Sequence, residues 1–350
     1  MQHEFPAAGA WDLQPAARLG WGLIAIVIAI LALGVDRNFL IDQSNYLDNF
    51  AAAPGLDWLQ QLISAVGSLQ GFIVGVFSEE VLWQAWATLL GTLLDPASAV
   101  VLTVCVLNLL IVLAVMRLPN PAFPLVIWIL VPVGFAVTGL LQLRQGLALA
   151  VLLYVSLRMN RPVLGTLIAA TIHTTFALAI PFSMIAWLSG RRHLLALSLA
   201  VVVASATAYL GAVLFELFGG RRLEIYDVSQ GETNSILYVF GGLLCALPSL
   251  HRLLTEPVAD EAPAATRTLR NLVVIHIGVI AFTATSFFVF PLGAGRIGYL
   301  IMLLLIPILP TMHRRSSASG TIIFAALALY LVYVAVKTGI EGTYDIYFVG

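Results

Sequence analysis

Uninterrupted runs of about twenty apolar residues recur along the chain, and they restrict its fold more than any other feature. At 1.5 Å per residue, each run is long enough to cross a hydrocarbon core of roughly 30 Å as a helix. A backbone in lipid must pair its own N–H and C=O groups, which leaves only helices and closed barrels. Barrel strands alternate apolar and polar residues, whereas these runs are continuous Leu, Val, Ala and Ile. The expected fold is an all-α integral membrane protein, a polytopic bundle of about ten transmembrane helices forming one membrane domain over 1–350. A hydrophobic fraction of 60% and a charged fraction of 10% agree with a chain whose main solvent is not water.

Spans are expected at 19–35, 97–116, 122–143, 145–158, 163–180, 194–216, 235–253, 271–290, 297–312 and 320–338. The first run lacks a small-residue cleavage pattern and is followed by many others, which marks a retained helix rather than a signal peptide. Segments 80–94 and 182–190 are apolar but short, as interfacial or re-entrant pieces are.

Orientation follows from the basic residues. Arg117, Arg158, Arg161, Arg191, Arg192, Arg252, Arg267, Arg270, Arg314 and Arg315 can all be cytoplasmic, which makes 254–270 a cytoplasmic loop. The acidic loop 36–80, with amphipathic segments, and the loop 217–234 then face outward, together with Arg144 and Arg296. The scheme requires 182–190 to return the chain to the cytoplasm. An unbroken helix over 163–188 would invert everything after it.

Formal charge is −1, from 17 basic and 18 acidic residues, so no overall field favours nucleic acid. Cys105 and Cys245 lie in apolar spans and read as small buried hydrophobes. No Walker A loop, zinc-binding pair, Gly-x-Ser-x-Gly elbow or dinucleotide fingerprint stands in a credible context, which leaves ATP-driven and metallohydrolase chemistry unsupported. No metal site and no cofactor are expected, and any reaction would use a pre-activated substrate.

Gln142-Leu-Arg144-Gln145 puts a fixed cation and two amides between two spans at the expected outer boundary, with no evident acidic neighbour. Such an arginine is either a snorkelling interfacial residue or part of a substrate path. His173 falls in the outer half of the next span. A hairpin through Arg158 to Pro162 would bring it to the depth of Arg144 on an adjacent helix. His173 reads as a bundle histidine hydrogen-bonded with help from Thr174 or Thr175, or as a base. His276 reads as a bundle histidine.

In the first outer loop, Asp42, Asn45, Tyr46 and Asn49 share one helical face that suits sugar hydroxyls, as an ordinary solvated helix also would. Glu79 and Glu80 open an apolar segment and read as a complement to its helix dipole. Arg296 follows Gly293 and Gly295, and with Arg144 would make a two-guanidinium anchor for a pyrophosphate.

An ordered set of these features resembles the EpsG family of bacterial exopolysaccharide polymerases, which belongs with the Wzy-type polymerases. The set comprises Asp42-Gln-Ser-Asn-Tyr46 with Phe50, Arg144-Gln145-x-x-Ala148, the span bearing His173, and Gly295-Arg296 with Tyr299, over roughly 20–300. Gln43 departs from the aromatic residue expected after the loop's aspartate. The resemblance implies a GT-C-like membrane fold in the bacterial inner membrane. It also implies a glycosyltransferase that joins undecaprenyl-pyrophosphate-linked repeat units into exopolysaccharide or O-antigen on the outer face. The partners implied are lipid-linked oligosaccharide donor and acceptor, membrane lipids, and a chain-length regulator and export proteins.

On that footing Arg144, Arg296 and Gln145 are expected to hold the pyrophosphate without a metal, and His173 or Asp42 to act as base. Tyr46, Asn45 and Tyr299 are expected to contact sugar. A transporter or flippase of lipid-linked sugars and an outer-face O-acyltransferase using His173 are the alternative classes.

Overall fold

The computed structural model describes residues 43–65, 69–118, 121–130, 133–190, 192–218, 236–255, 264–289 and 294–312, with scattered positions between 322 and 336. Among these no strand occurs. The chain opens with α1 (Gln43–Ala52), α2 (Asp57–Ala65), α3 (Leu69–Ser78) and α4 (Val81–Leu93). The first long helix, α5 (Pro96–Val115), has a start readable from its residues. The Asp95 side chain accepts the Ser98 N–H at 3.0 Å, and Pro96 occupies a position that needs no N–H partner. Those Ser98 bonds hold the Asp95 carboxyl below its usual range.

After α6 (Ala122–Leu130), a π-helical segment, Val133–Leu141, runs to a sharp bend at Gln142. Then come α7 (Leu143–Leu153), which continues as π-helix through Arg158, and α8 (Pro162–Ile172). His173 is extended (φ −148°, ψ 121°) and is followed by a 3₁₀ turn, Thr174–Leu178, and α9 (Ala179–Leu188). The remaining helices are α10 (His193–Phe218), α11 (Ile236–Thr255), α12 (Ala264–Val289) and α13 (Ala294–Met312).

Three described helices are long and apolar enough to cross a membrane: Pro96–Val115, His193–Gly211 and Arg267–Val289. Gly134–Leu141 and Leu143–Arg158 make a fourth if their 110° bend lies within one crossing. Two expected spans are therefore corrected, because 122–143 divides into two helical pieces and 163–180 breaks at His173. Mean hydropathy does not register such breaks, since the residues on either side stay apolar. The expected span 19–35 and most of 320–338 lie outside the described residues.

The break at His173 reverses the chain. α9 packs back against α8, which two halves of a straight helix cannot do. Residues 179–188 thus form a returning arm. α10 and α12 then run parallel, since His193 lies within electrostatic reach of Arg270 and, further along both helices, Ser205 bonds Thr285 at 3.1 Å. A short connection joins α12 to α13, and the two pack together, so they are antiparallel. This alternation returns the start of α13, with Arg296 in it, to the end of the bundle that holds His173.

Several polar side chains inside the bundle pair with one another or with backbone carbonyls, which lowers the cost of holding them there. His276, fully buried, meets Ser249 Oγ at 2.7 Å and the Ile301 carbonyl at 2.9 Å, which makes it the bundle histidine expected from sequence. Trp128 donates to Asn108 Oδ1 at 3.0 Å, and Asn108 donates to the carbonyls of Val104 and Gly139. Gly146 lets α7 lie against the preceding segment, because a Cβ there would run into the Thr138 carbonyl. That contact sets the bend from which Arg144 and Gln145 project.

Candidate functional site

A cavity of about 300 Å³ opens where α1, the start of α4, the Gln142 bend and the His173 break converge. α1 contributes Asn45, Tyr46 and Asn49, and α4 contributes Trp83. The bend contributes Gln142, Arg144 and Gln145, and the break contributes His173.

The α1 wall is built by an aromatic contact and a hydrogen bond. Tyr46 packs edge-on against Trp83, with ring centroids 5.7 Å apart, and the Trp83 indole donates to Asn49 Oδ1 at 3.0 Å. With its oxygen engaged in this way, what Asn49 still has to offer is mainly its NH₂ donors.

Opposite stands a carboxylate that organises the cationic side of the cavity. Glu80, in the turn between α3 and α4 and 6% exposed, accepts from Arg144 at 2.9 Å through Oε2. Its Oε1 meets His173 Nδ1 at 2.6 Å and accepts from the Thr174 N–H at 3.0 Å and the Thr174 hydroxyl at 3.1 Å. The Thr174 amide is free to donate because the helix breaks at His173, and Glu80 satisfies it. Burial alone would raise the Glu80 carboxyl. The hydrogen bond from His173, then the Thr174 amide and the charge of Arg144, outweigh burial and hold the carboxyl at about 2. An ionised carboxylate only accepts, so His173 donates through Nδ1. Nε2 then lies 3.3 Å from the Thr175 hydroxyl.

Glu80 occupies the left-handed region (φ 51°, ψ 53°), a conformation that costs a non-glycine residue on the order of 1 kcal/mol and persists where surrounding contacts over-determine it. The reading of Glu80 as a complement to the helix dipole is incomplete: it stands at the N-cap position of α4 but makes no side-chain cap bond, and its carboxylate engages Arg144 and His173 behind the cavity wall. The view of Arg144 as lacking an acidic neighbour is corrected with it. Arg144 also bonds Tyr46, linking the two walls.

At the bend, α7 begins with Gln142, which offers no side-chain cap, so the first N–H groups and the positive end of the helix dipole stand uncapped beside the cavity. Two amide atoms there are buried without a partner, Gln142 Oε1 and Gln145 Nε2. Gln145 is only 4% exposed. A buried unpaired amide costs about 1–3 kcal/mol.

Five residues selected from sequence, Asn45, Tyr46, Arg144, Gln145 and His173, meet around this cavity. Arg296 and Tyr299 stand in the first turns of α13 at the same end of the bundle, and their side chains lie outside the described set. Asp42 lies outside the described residues. Sequence reasoning missed Glu80 and Trp83. The available signal for Glu80 was a carboxylate opening an apolar segment of a chain whose nearby spans held an unmatched cation. Among the described residues, no group of three or more His, Cys, Asp or Glu is placed to hold a metal ion.

Comparison with known proteins finds one family model that matches, the EpsG family, over residues 21–345. No curated protein and no solved structure matches.

Proposed function

This chain belongs to the EpsG family, whose members are Wzy-type polysaccharide polymerases, and we propose that its cavity binds a lipid-diphosphate-linked glycan and transfers that glycan to a second lipid-linked unit. The observation that carries the proposal is the meeting, around one cavity, of Arg144, the uncapped start of α7, Gln145 and His173. A guanidinium and a helix N-terminus together suit a diphosphate, and the amide donor adds direction.

In this reading the donor diphosphate rests on Arg144, Gln145 and the α7 amides, with Arg296 approaching from α13. Tyr46, Asn45, Asn49 and Tyr299 contact sugar. The acceptor hydroxyl oxygen attacks the donor's anomeric carbon and forms the new C–O bond. His173 Nε2 takes the hydroxyl proton, with Asp42 the other candidate base. The anomeric C–O bond to the diphosphate breaks, and its electron pair leaves with the lipid diphosphate, stabilised by the same positive groups. No metal is needed for that charge balance. The family and the basic residues near the helix ends support an inner-membrane protein with the cavity on the outer face, an undecaprenyl carrier, and a GT-C-like bundle of about ten crossings.

Purified protein in detergent micelles, supplied with lipid-linked oligosaccharide, separates this reading from transport. A ladder of longer lipid-linked glycans is expected without any sealed vesicle. Protein that moves lipid-linked sugar across vesicles but builds no ladder would be a transporter instead.

A further inference from the structure

We infer that Glu80 is a positioning residue for the transfer reaction: it fixes the His173 ring with Nε2 as the cavity-facing acceptor and holds Arg144 by one edge. The inference rests on the glycosyl-transfer reading above and adds to it a residue that no motif marks.

Glu80 does not line the cavity. It acts from behind, through two groups that do. Its carboxylate engages His173 Nδ1 and Arg144 with separate oxygens, 2.6 Å and 2.9 Å away. The segments it joins lie far apart in sequence: the α3–α4 turn, the first turn of α7, and the break after α8. Both Thr174 bonds end on the same Oε1 that meets His173, so the broken backbone itself aims the carboxylate.

Two consequences follow from the chemistry. An acceptor-only partner at Nδ1 selects the Nδ1–H tautomer of neutral imidazole, leaving the Nε2 lone pair, 3.3 Å from the Thr175 hydroxyl, to an acceptor hydroxyl that displaces this contact. The same negative charge also lies beside Arg144 and offsets part of its attraction for a diphosphate. Glu80 thus favours turnover at some expense of donor affinity. Among the described residues, the charged and titratable groups around His173 are Glu80 from the α3–α4 turn, Arg144 from α7 and Tyr46 from α1.

The test is Glu80→Gln alongside Glu80→Asp, assayed by detergent chain elongation with varied donor, together with ¹⁵N spectra of histidine-labelled protein. Expected is a fall in kcat of about 10²-fold for Glu80→Gln with no rise in donor KM, and partial recovery of kcat in Glu80→Asp. The wild-type spectrum should contain an Nδ1–H histidine signal that disappears in His173→Gln and shifts toward the Nε2–H form in Glu80→Gln. Unchanged kcat in Glu80→Gln, a rise in KM alone, or an Nε2–H tautomer for His173 in wild type would each overturn the inference. Should Glu80→Gln not fold, the wild-type tautomer and the Glu80→Asp kinetics decide. A wild-type protein that makes no ladder defeats the functional reading itself, whereas an active wild type matched by its Glu80 variants defeats only this step.

Discussion

Arg144 is held by Glu80 and Tyr46 yet open to solvent: its side chain is 47% exposed, while that of the carboxylate it meets is 8% exposed. The guanidinium is thus oriented before any anion arrives, and its remaining N–H groups are free to fork onto a phosphate. Arg144→Ala should lower polymer formation by about 10²–10³-fold, as loss of a preorganised charge-stabilising donor does. Arg144→Lys keeps the charge but not the planar fork and should recover only part of that loss. Polymer length and yield in membranes carrying each variant report the outcome, and normal chains from both would remove Arg144 from the site. Glu80 adds a pH signature. Its carboxyl is lowered from 4.5 to about 2 in the folded protein, so its stabilising contribution is complete above pH 4.5 and is lost as pH falls from 4.5 toward 2. Thermal unfolding of the detergent-solubilised protein should show that loss, and Glu80→Gln should lack this component of the slope. Trp83→Phe preserves the packing on Tyr46 but releases Asn49, with an expected cost of about 1 kcal/mol by the same unfolding measurement.

At the scale of elements, the site depends on two places where helices stop being regular. Gln142 (φ −98°, ψ 69°) ends one helical piece and aims the start of α7, and extended His173 ends α8 and frees the Thr174 amide. The sequence made the helices and the depth of Arg144 and His173 legible, because apolar run length and the polar turn at Arg158–Pro162 fix how far each side chain stands from the hairpin's end. It did not make the breaks legible, since hydropathy stays high through Gly134–Leu141 and through Thr174–Leu188. Glu80 stayed hidden for a related reason. Its partners lie 64 and 93 residues away, and local spacing carries no trace of such pairing. Gly146→Val tests the bend. The added side chain would strike the Thr138 carbonyl, so α7 would have to move away, carrying Arg144 and Gln145 with it. Expected are polymer yields reduced at least as far as in Arg144→Ala from protein that still inserts, measured against the amount of folded protein on size-exclusion chromatography.

For the whole molecule, the packing of α8, α9, α10, α12 and α13 brings the start of α13 to the cavity's end of the bundle, which in the proposed topology faces outward. A membrane-impermeant thiol reagent added to intact cells should therefore label a cysteine placed at Arg144 and spare one placed at Arg158. The central claim is that the cavity between α1, the bend and the break is where the lipid-linked glycan docks. It is tested most directly by placing a photo-crosslinking amino acid at Asn49, on the cavity wall, or at Val202, 63% exposed on α10, and illuminating membranes that contain labelled lipid-linked oligosaccharide. A covalent glycolipid adduct from position 49, absent from position 202 and competed away by excess unlabelled donor, is the predicted result. Equal adducts from both positions, or an adduct from position 202 alone, would contradict it.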